Sequence, residues 1–163
     1  MIRLAWITAV LAALSACAGN PLKLEGVTTE LTPNAALSQI DSTRGRKVAW
    51  GGMIIHGRNQ KDVTEIEVLG YPLDDTGRPD PNAAPQHRFL VVRDGYLETA
   101  DYRTGRYISV VGTVEGVRQG TVGEAPYTYP VVRAQQLHLW PTDTGRTDSG
   151  PRFGVGVGII FSR

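Results

Sequence analysis

Between Arg106 and Gly116 the chain places Ile108, Val110, Gly112 and Val114 on one face. That period of two fits a strand with one buried face and excludes an amphipathic helix. Similar runs follow one another along the sequence. Lys47 to His56 reads as a first long strand, and Val63 to Leu69 as a second with Thr64, Ile66 and Val68 together. Arg88 to Arg93 resumes strand character, and Tyr127 to Trp140 reads as a closing strand pair or one long bent strand. Polar turns separate the runs: Gly57 to Asp62, which makes the first two strands a hairpin, then Asp94-Gly95, then Asp101 to Gly105. The 19 glycines and 10 prolines, with little helical periodicity, complete the signature of an all-β domain. Gly51-Gly52 and Gly112 lie inside strand patterns, where glycine marks the sharp bends of a small barrel. Tyr71 to Pro85 carries four prolines and is read as a long surface loop, while Val117 to Pro126 is read as a connecting segment. Pro130 is expected at an edge or bend.

The beginning of the chain has a different logic. Arg3 precedes an apolar run from Leu4 to Leu14, and small residues lead to Cys17. These are the n-, h- and c-regions of a secretory signal, and the run is too short to cross a hydrocarbon core of about 30 Å. Leu14-Ser15-Ala16-Cys17 resembles the bacterial lipobox, which places cleavage between Ala16 and Cys17 and makes Cys17 the lipid attachment point. Its thiol is the one side chain here that forms a thioether to diacylglycerol, and each buried methylene of the attached chains adds about 0.8 kcal/mol of anchoring. Cys17 is also the chain's one cysteine, so an intramolecular disulfide is impossible. No cofactor is expected beyond the diacylglycerol and N-acyl chain on Cys17.

The expected organisation is a signal peptide over 1–16, a lipidated tether over 17–43, a β-domain over 44–141 and a glycine-rich tail over 142–163. Within the tether, Thr32 as cap and Pro33 in the first turn predict a short helix over Thr32 to Ile40, with Leu37 and Ile40 on one face. Asp41 to Arg46 reads as a turn. In the tail, Phe153 to Phe161 alternates glycine with apolar residues and is expected to pair along a sheet edge or dock on a partner. Loss of Arg3 with the signal leaves the mature side chains neutral, which argues against nucleic acid as a partner.

Catalytic patterns are weak. His56, His87 and His138 are dispersed and have no cysteine beside them, so a converging metal site is not expected. Asp74-Asp75 reads as solvated turn residues, and Glu65 with Glu67 as an outward strand face. No G-x-S-x-G motif occurs, and neither Gly51-Gly52 nor Gly154, Gly156 and Gly158 opens a phosphate loop. Trp50, Tyr127, Tyr129 and Trp140 are read as core aromatics rather than a stacking platform. For a ligand, the expected cleft lies between the Tyr71–Pro85 loop and the Gly123–Pro130 segment.

Several blocks in fixed order resemble the Slp family of bacterial outer-membrane lipoproteins. They are Val48-Ala49-Trp50-Gly51-Gly52, Thr64 to Val68, Pro72-Leu73-Asp74 with Gly77-Arg78-Pro79, Arg88-Phe89-Leu90, Gly105-Arg106 with Val110-Val111-Gly112, and Tyr127 to Val132 leading to Leu139-Trp140. The resemblance implies a small β-barrel of oligonucleotide-binding-like (OB-like) topology, lipid-anchored in the outer membrane and associated with starvation or stationary phase. It implies no catalytic residues, and hence no enzyme. Ala18 after Cys17, in place of the aspartate that favours inner-membrane retention, implies outer-membrane sorting by resemblance to sorted lipoproteins. The domain is then expected to face the periplasm, with outer-membrane lipid as partner through Cys17 and envelope proteins or peptidoglycan as further contacts. A periplasmic small-ligand or glycan-binding lipoprotein is the alternative.

Overall fold

A computed structural model describes residues 20–142. Ala16, Cys17 and the Phe153–Phe161 segment lie outside the described residues. Five strands form the described domain: β1 (Lys47–Asn59), β2 (Val63–Tyr71), β3 (Arg88–Asp94), β4 (Tyr107–Val122) and β5 (Ala125–Leu139). They close into a barrel in the order β1-β2-β3-β5-β4. All neighbours are antiparallel except β3 and β5, which run parallel from Leu90–Val131 to Val92–Arg133.

The alternation read from the sequence fills the interior. Val48, Trp50 and Ile54 of β1, Ile66 and Val68 of β2, Phe89 and Val91 of β3, Ile108, Val110 and Val114 of β4, and Val132 of β5 form one cluster. Each side chain of this size contributes about 1.5–3 kcal/mol on full burial. Trp50 and Phe89 meet edge to face at 5.2 Å, the geometry that aromatic quadrupoles favour. Curvature is set where the glycines predicted it. A side chain at Gly52 would collide with the backbone carbonyl of Leu69, and one at Gly112 with that of Arg133. The β4–β5 register shifts at Val111/Gly112 and at Val114/Gly116, and Pro130 lies beside the second shift, next to the start of the parallel pairing.

Two segments depart from the sequence expectation. The segment from Val117 to Pro126 is not a loose connection: β4 continues to Val122, and β5 begins at Ala125. Gly123 joins them with φ +60, while no non-glycine residue among those described has positive φ, as in a type II′ turn. The arm so formed packs outside β2 and β3, where Tyr129 and Val131 join Leu90 and Val92 in a second apolar cluster. Its outer face stays polar because one side alone is covered, so composition alone reads as a loop.

The helix is the second such segment. Thr32 caps α1 (Pro33–Ser38), accepting a hydrogen bond from Ala35 N, with Pro33 in the first turn as expected. The chain breaks at Gln39 and makes one more turn, α2 (Ile40–Thr43), where the sequence suggested only a turn. The core-facing pair is Ala36 and Ile40 rather than Leu37 and Ile40. The break at Gln39 turns Ile40 to the core beside Ala36, and the small Ala36 lets the first helix sit against the barrel. Backbone bonds from Gly45 N to Val114 O (2.8 Å) and from Val114 N to Arg46 O (3.0 Å) then lead into β1.

From Asn20 on, the polar segment ahead of α1 lies against the barrel. Leu22 is buried with Ala49 and Val111. Thr28 forms a parallel bridge to Val48, and the Gln136 side chain bonds both the N–H and the carbonyl of Lys23. Among the described residues, no helix is long and apolar enough to cross a membrane.

Candidate functional site

The loop between β2 and β3 is held in shape by its own polar groups. One Asp74 carboxylate oxygen accepts from Thr76 N (2.8 Å), Thr76 Oγ1 (2.6 Å) and Arg78 N (3.0 Å). Hydrogen bonding, chiefly from the Thr76 hydroxyl, holds the Asp74 carboxyl below the usual carboxylate range. Gly77 completes the turn with φ +81, and its carbonyl accepts from the buried Ser109 hydroxyl at 2.6 Å. Trp140 Nε1 donates in turn to that hydroxyl at 2.8 Å. The loop is thereby tied to β4.

Its inner wall faces the N-terminal segment across a cleft of about 440 Å³. Ala49, Trp50 and Leu31 line its base, and Tyr71, Pro72 and Leu73 one wall. Leu24, 38% exposed, lies on the other. Trp50 Nε1 donates to Leu31 O at 2.6 Å, which fixes the segment over the barrel. Asn20, Thr29, Thr32 and Gln86 add polar groups, while Glu30, Asp74 and Asp75 are the charged lining residues among those described, with the Arg78 charge acting on Asp74 from close by. A cleft so built offers an apolar base with a few polar groups and carboxylates around it.

The expected cleft between the Tyr71–Pro85 loop and the Gly123–Pro130 segment is not what this loop encloses. Where the loop runs into β3 it is closed on the arm: the His87 ring stacks on Tyr127 at 4.6 Å, and His87 Nε2 lies 2.8 Å from Thr128 O. The loop's free side turns instead to residues 20–32. Those residues carried no turn-and-strand pattern to mark them as a wall.

The other candidate residues fall in separate places. His56 is exposed on β1, and His138 packs edge-on against Trp140 at 4.5 Å. No group of three or more metal-ligating side chains occurs among the described residues. Trp50 is in the core, Tyr127 and Tyr129 lie 4.7 Å apart on the arm, and Trp140 sits by Ser109, so the four aromatics make no single platform.

Glu65 and Glu67 do point outward, yet Glu65 is only 6% exposed because the arm covers it. Arg58 Nη2 approaches Glu65 Oε1 at 2.6 Å, and Arg118 of the arm pairs with its other oxygen. Arg88 Nη1 holds Glu67 Oε1 at 2.7 Å, and the Tyr129 hydroxyl lies 2.9 Å from Thr121 O and 3.3 Å from Glu67 Oε1. This network clamps arm to barrel, and sequence reading missed it because Arg118 is far from Glu65 in the chain. Arg118→Ala leaves a buried carboxylate with one partner and is expected to cost about 2 kcal/mol, below the fully buried case because both arginines reach water. Glu65→Gln releases two solvated cations and is expected to cost about half of that. Urea unfolding of both variants checks the order, and the reverse order contradicts the clamp.

Burial, reinforced by the Glu67 charge, raises the Tyr129 hydroxyl above its ordinary value. The folded state thus holds the phenol proton more tightly than the unfolded chain. Tyr129 stabilises fully below pH about 10, the unfolded value, and loses this contribution as pH climbs through the folded one. Urea midpoints at rising alkaline pH are expected to fall less steeply for Tyr129→Phe than for the parent.

A family model described as "Outer membrane lipoprotein Slp family" matches residues 14–155. "Outer membrane protein Slp" of Escherichia coli K12 is 31% identical over 59% of this chain and 50% of its own length. An uncharacterized protein of Haemophilus influenzae is 30% identical over 85% of this chain and 76% of its own. The E. coli "uncharacterized lipoprotein YeaY" is 28% identical over 78% and 66%. The match to the first of these relatives spans half of that relative's length.

Proposed function

The chain belongs to the outer membrane lipoprotein Slp family, and on that footing we propose that it is a non-enzymatic envelope module held in the outer membrane by lipid on Cys17. The observation that carries this reading is that the family match begins at Leu14, the first residue of the lipobox-like Leu14-Ser15-Ala16-Cys17. The five-strand order β1-β2-β3-β5-β4 supports an OB-like topology for the barrel. A barrel of this kind does not itself assign nucleic acid or any other ligand, because function resides in the site. Ala18 in place of aspartate favours outer-membrane sorting with the domain in the periplasm. There the domain acts through contacts with envelope proteins or peptidoglycan, in starvation or stationary phase as associated with some family members.

Cys17→Ser tests the anchor. A thioether cannot form on serine, so the variant is expected to lose signal cleavage at Ala16 and the outer-membrane fraction together. Outer-membrane recovery of a Cys17→Ser protein processed as the parent is would overturn the reading.

A further inference from the structure

The cleft between the N-terminal segment and the β2–β3 loop combines an apolar base with acidic lining residues, of which Asp74 also feels the nearby Arg78 charge while Glu30 and Asp75 extend the acidic side. An anionic ligand meets like charge there, whereas an ammonium group, with three donors, meets carboxylates. Leu24, 38% exposed beside these acids, is an apolar side chain left open to an apolar partner. The occupant that fits is an apolar body whose head presents an ammonium group to the acids and keeps any anionic group turned to solvent.

Position narrows the source. Asn20 lines the cleft and lies three peptide units from Cys17. A trans chain spans at most about 3.8 Å per step between Cα atoms, so Cys17 Cα lies within about 11 Å of Asn20 Cα. The polar layer of a leaflet is roughly 5–8 Å deep. With Cys17 acylated, the cleft is therefore held at the membrane surface. We propose that the cleft receives an amine-headed phospholipid of the leaflet in which the chain is anchored, its ammonium against the acidic rim and its apolar part against Leu24, Leu31 and Leu73. The choice of a leaflet lipid rests on the lipid-anchor reading, while the affinity for an amine-headed amphiphile follows from the cleft itself.

The test uses the mature chain to Arg163 with Cys17→Ser, which carries no lipid, and titrates it with monomeric dihexanoyl-phosphatidylethanolamine or dihexanoyl-phosphatidylglycerol. Saturable NMR shifts at Leu24, Leu31 and Leu73 are expected with the ethanolamine lipid, and binding of the glycerol lipid about tenfold weaker or worse. Leu24→Ser, at a half-open position, is expected to weaken binding about tenfold without unfolding the protein. Glu30→Gln with Asp75→Asn is expected to abolish the preference between the two lipids. Absence of saturable shifts at the cleft, equal affinity for both lipids in the parent, or saturation by a lysine-rich apolar peptide in place of lipid would overturn the assignment. Because this protein is unacylated, such a failure leaves the anchor to its own test, the mass of the N-terminal peptide.

Discussion

Phe89→Ala is expected to destabilise the domain by about 4 kcal/mol, seen as a large fall in the urea midpoint at unchanged m-value. Phe89 has no exposed surface and sits where β3 enters the barrel, its ring against Trp50 at 5.2 Å. Truncation removes the transfer energy of the ring and leaves a cavity. A barrel closed by pairing on every side collapses poorly around such a hole, which puts the cost toward the upper part of the range for buried aromatics. Tyr96→Ala is the contrast: Tyr96 is 67% exposed, and its loss is expected to stay within about 0.5 kcal/mol. A small effect at Phe89 would mean that the interior of β3 is not the packed core described here.

Gly52→Ala is expected to cost about 3 kcal/mol or to prevent folding. The added methyl points at the Leu69 carbonyl, with the Leu69 carbonyl carbon and Val68 Cγ1 each 2.8 Å away. Gly52 and Gly70 are partners in the β1–β2 ladder, so the backbone cannot yield without breaking strand pairing. Gly95→Ala separates this close approach from simple conformational preference. Gly95 has φ +80 but nothing within 4 Å of the added carbon, so only the left-handed backbone penalty of about 1–2 kcal/mol applies. Equal losses at the two glycines would remove close strand approach as the reason for Gly52.

Those two positions also show what a sequence of this kind discloses. Strand faces were legible because burial on one side alone imposes a period of two: Ile108, Val110 and Val114 lie in the core as their spacing required, and Thr64, Ile66 and Val68 are buried together. The bends at Gly51-Gly52 and Gly112 were legible because strand interiors otherwise avoid glycine. What failed to show depended on partners distant in the chain. Residues 117–126 look like a loop because their order comes from β-pairing within an arm, not from a hydrophobic face. Glu65 reads as part of an outward strand face because the residue that covers and neutralises it, Arg118, belongs to that arm. The loop over Tyr71 to Pro85 does line a cleft, but not the one expected with Gly123 to Pro130. Its opposite wall, Asn20 to Thr32, is polar and irregular, held by scattered bonds such as Trp50 Nε1 to Leu31 O that leave no local signature.

The proposed anchor on Cys17 would join these parts, since it would hold the cleft near the membrane and the barrel in the periplasm. It is tested most directly by the intact mass of the N-terminal peptide from protein purified out of separated bacterial membranes. A triacylated peptide beginning at Cys17 in the outer-membrane fraction is the predicted result. An unmodified peptide, or one starting at another residue, would contradict it.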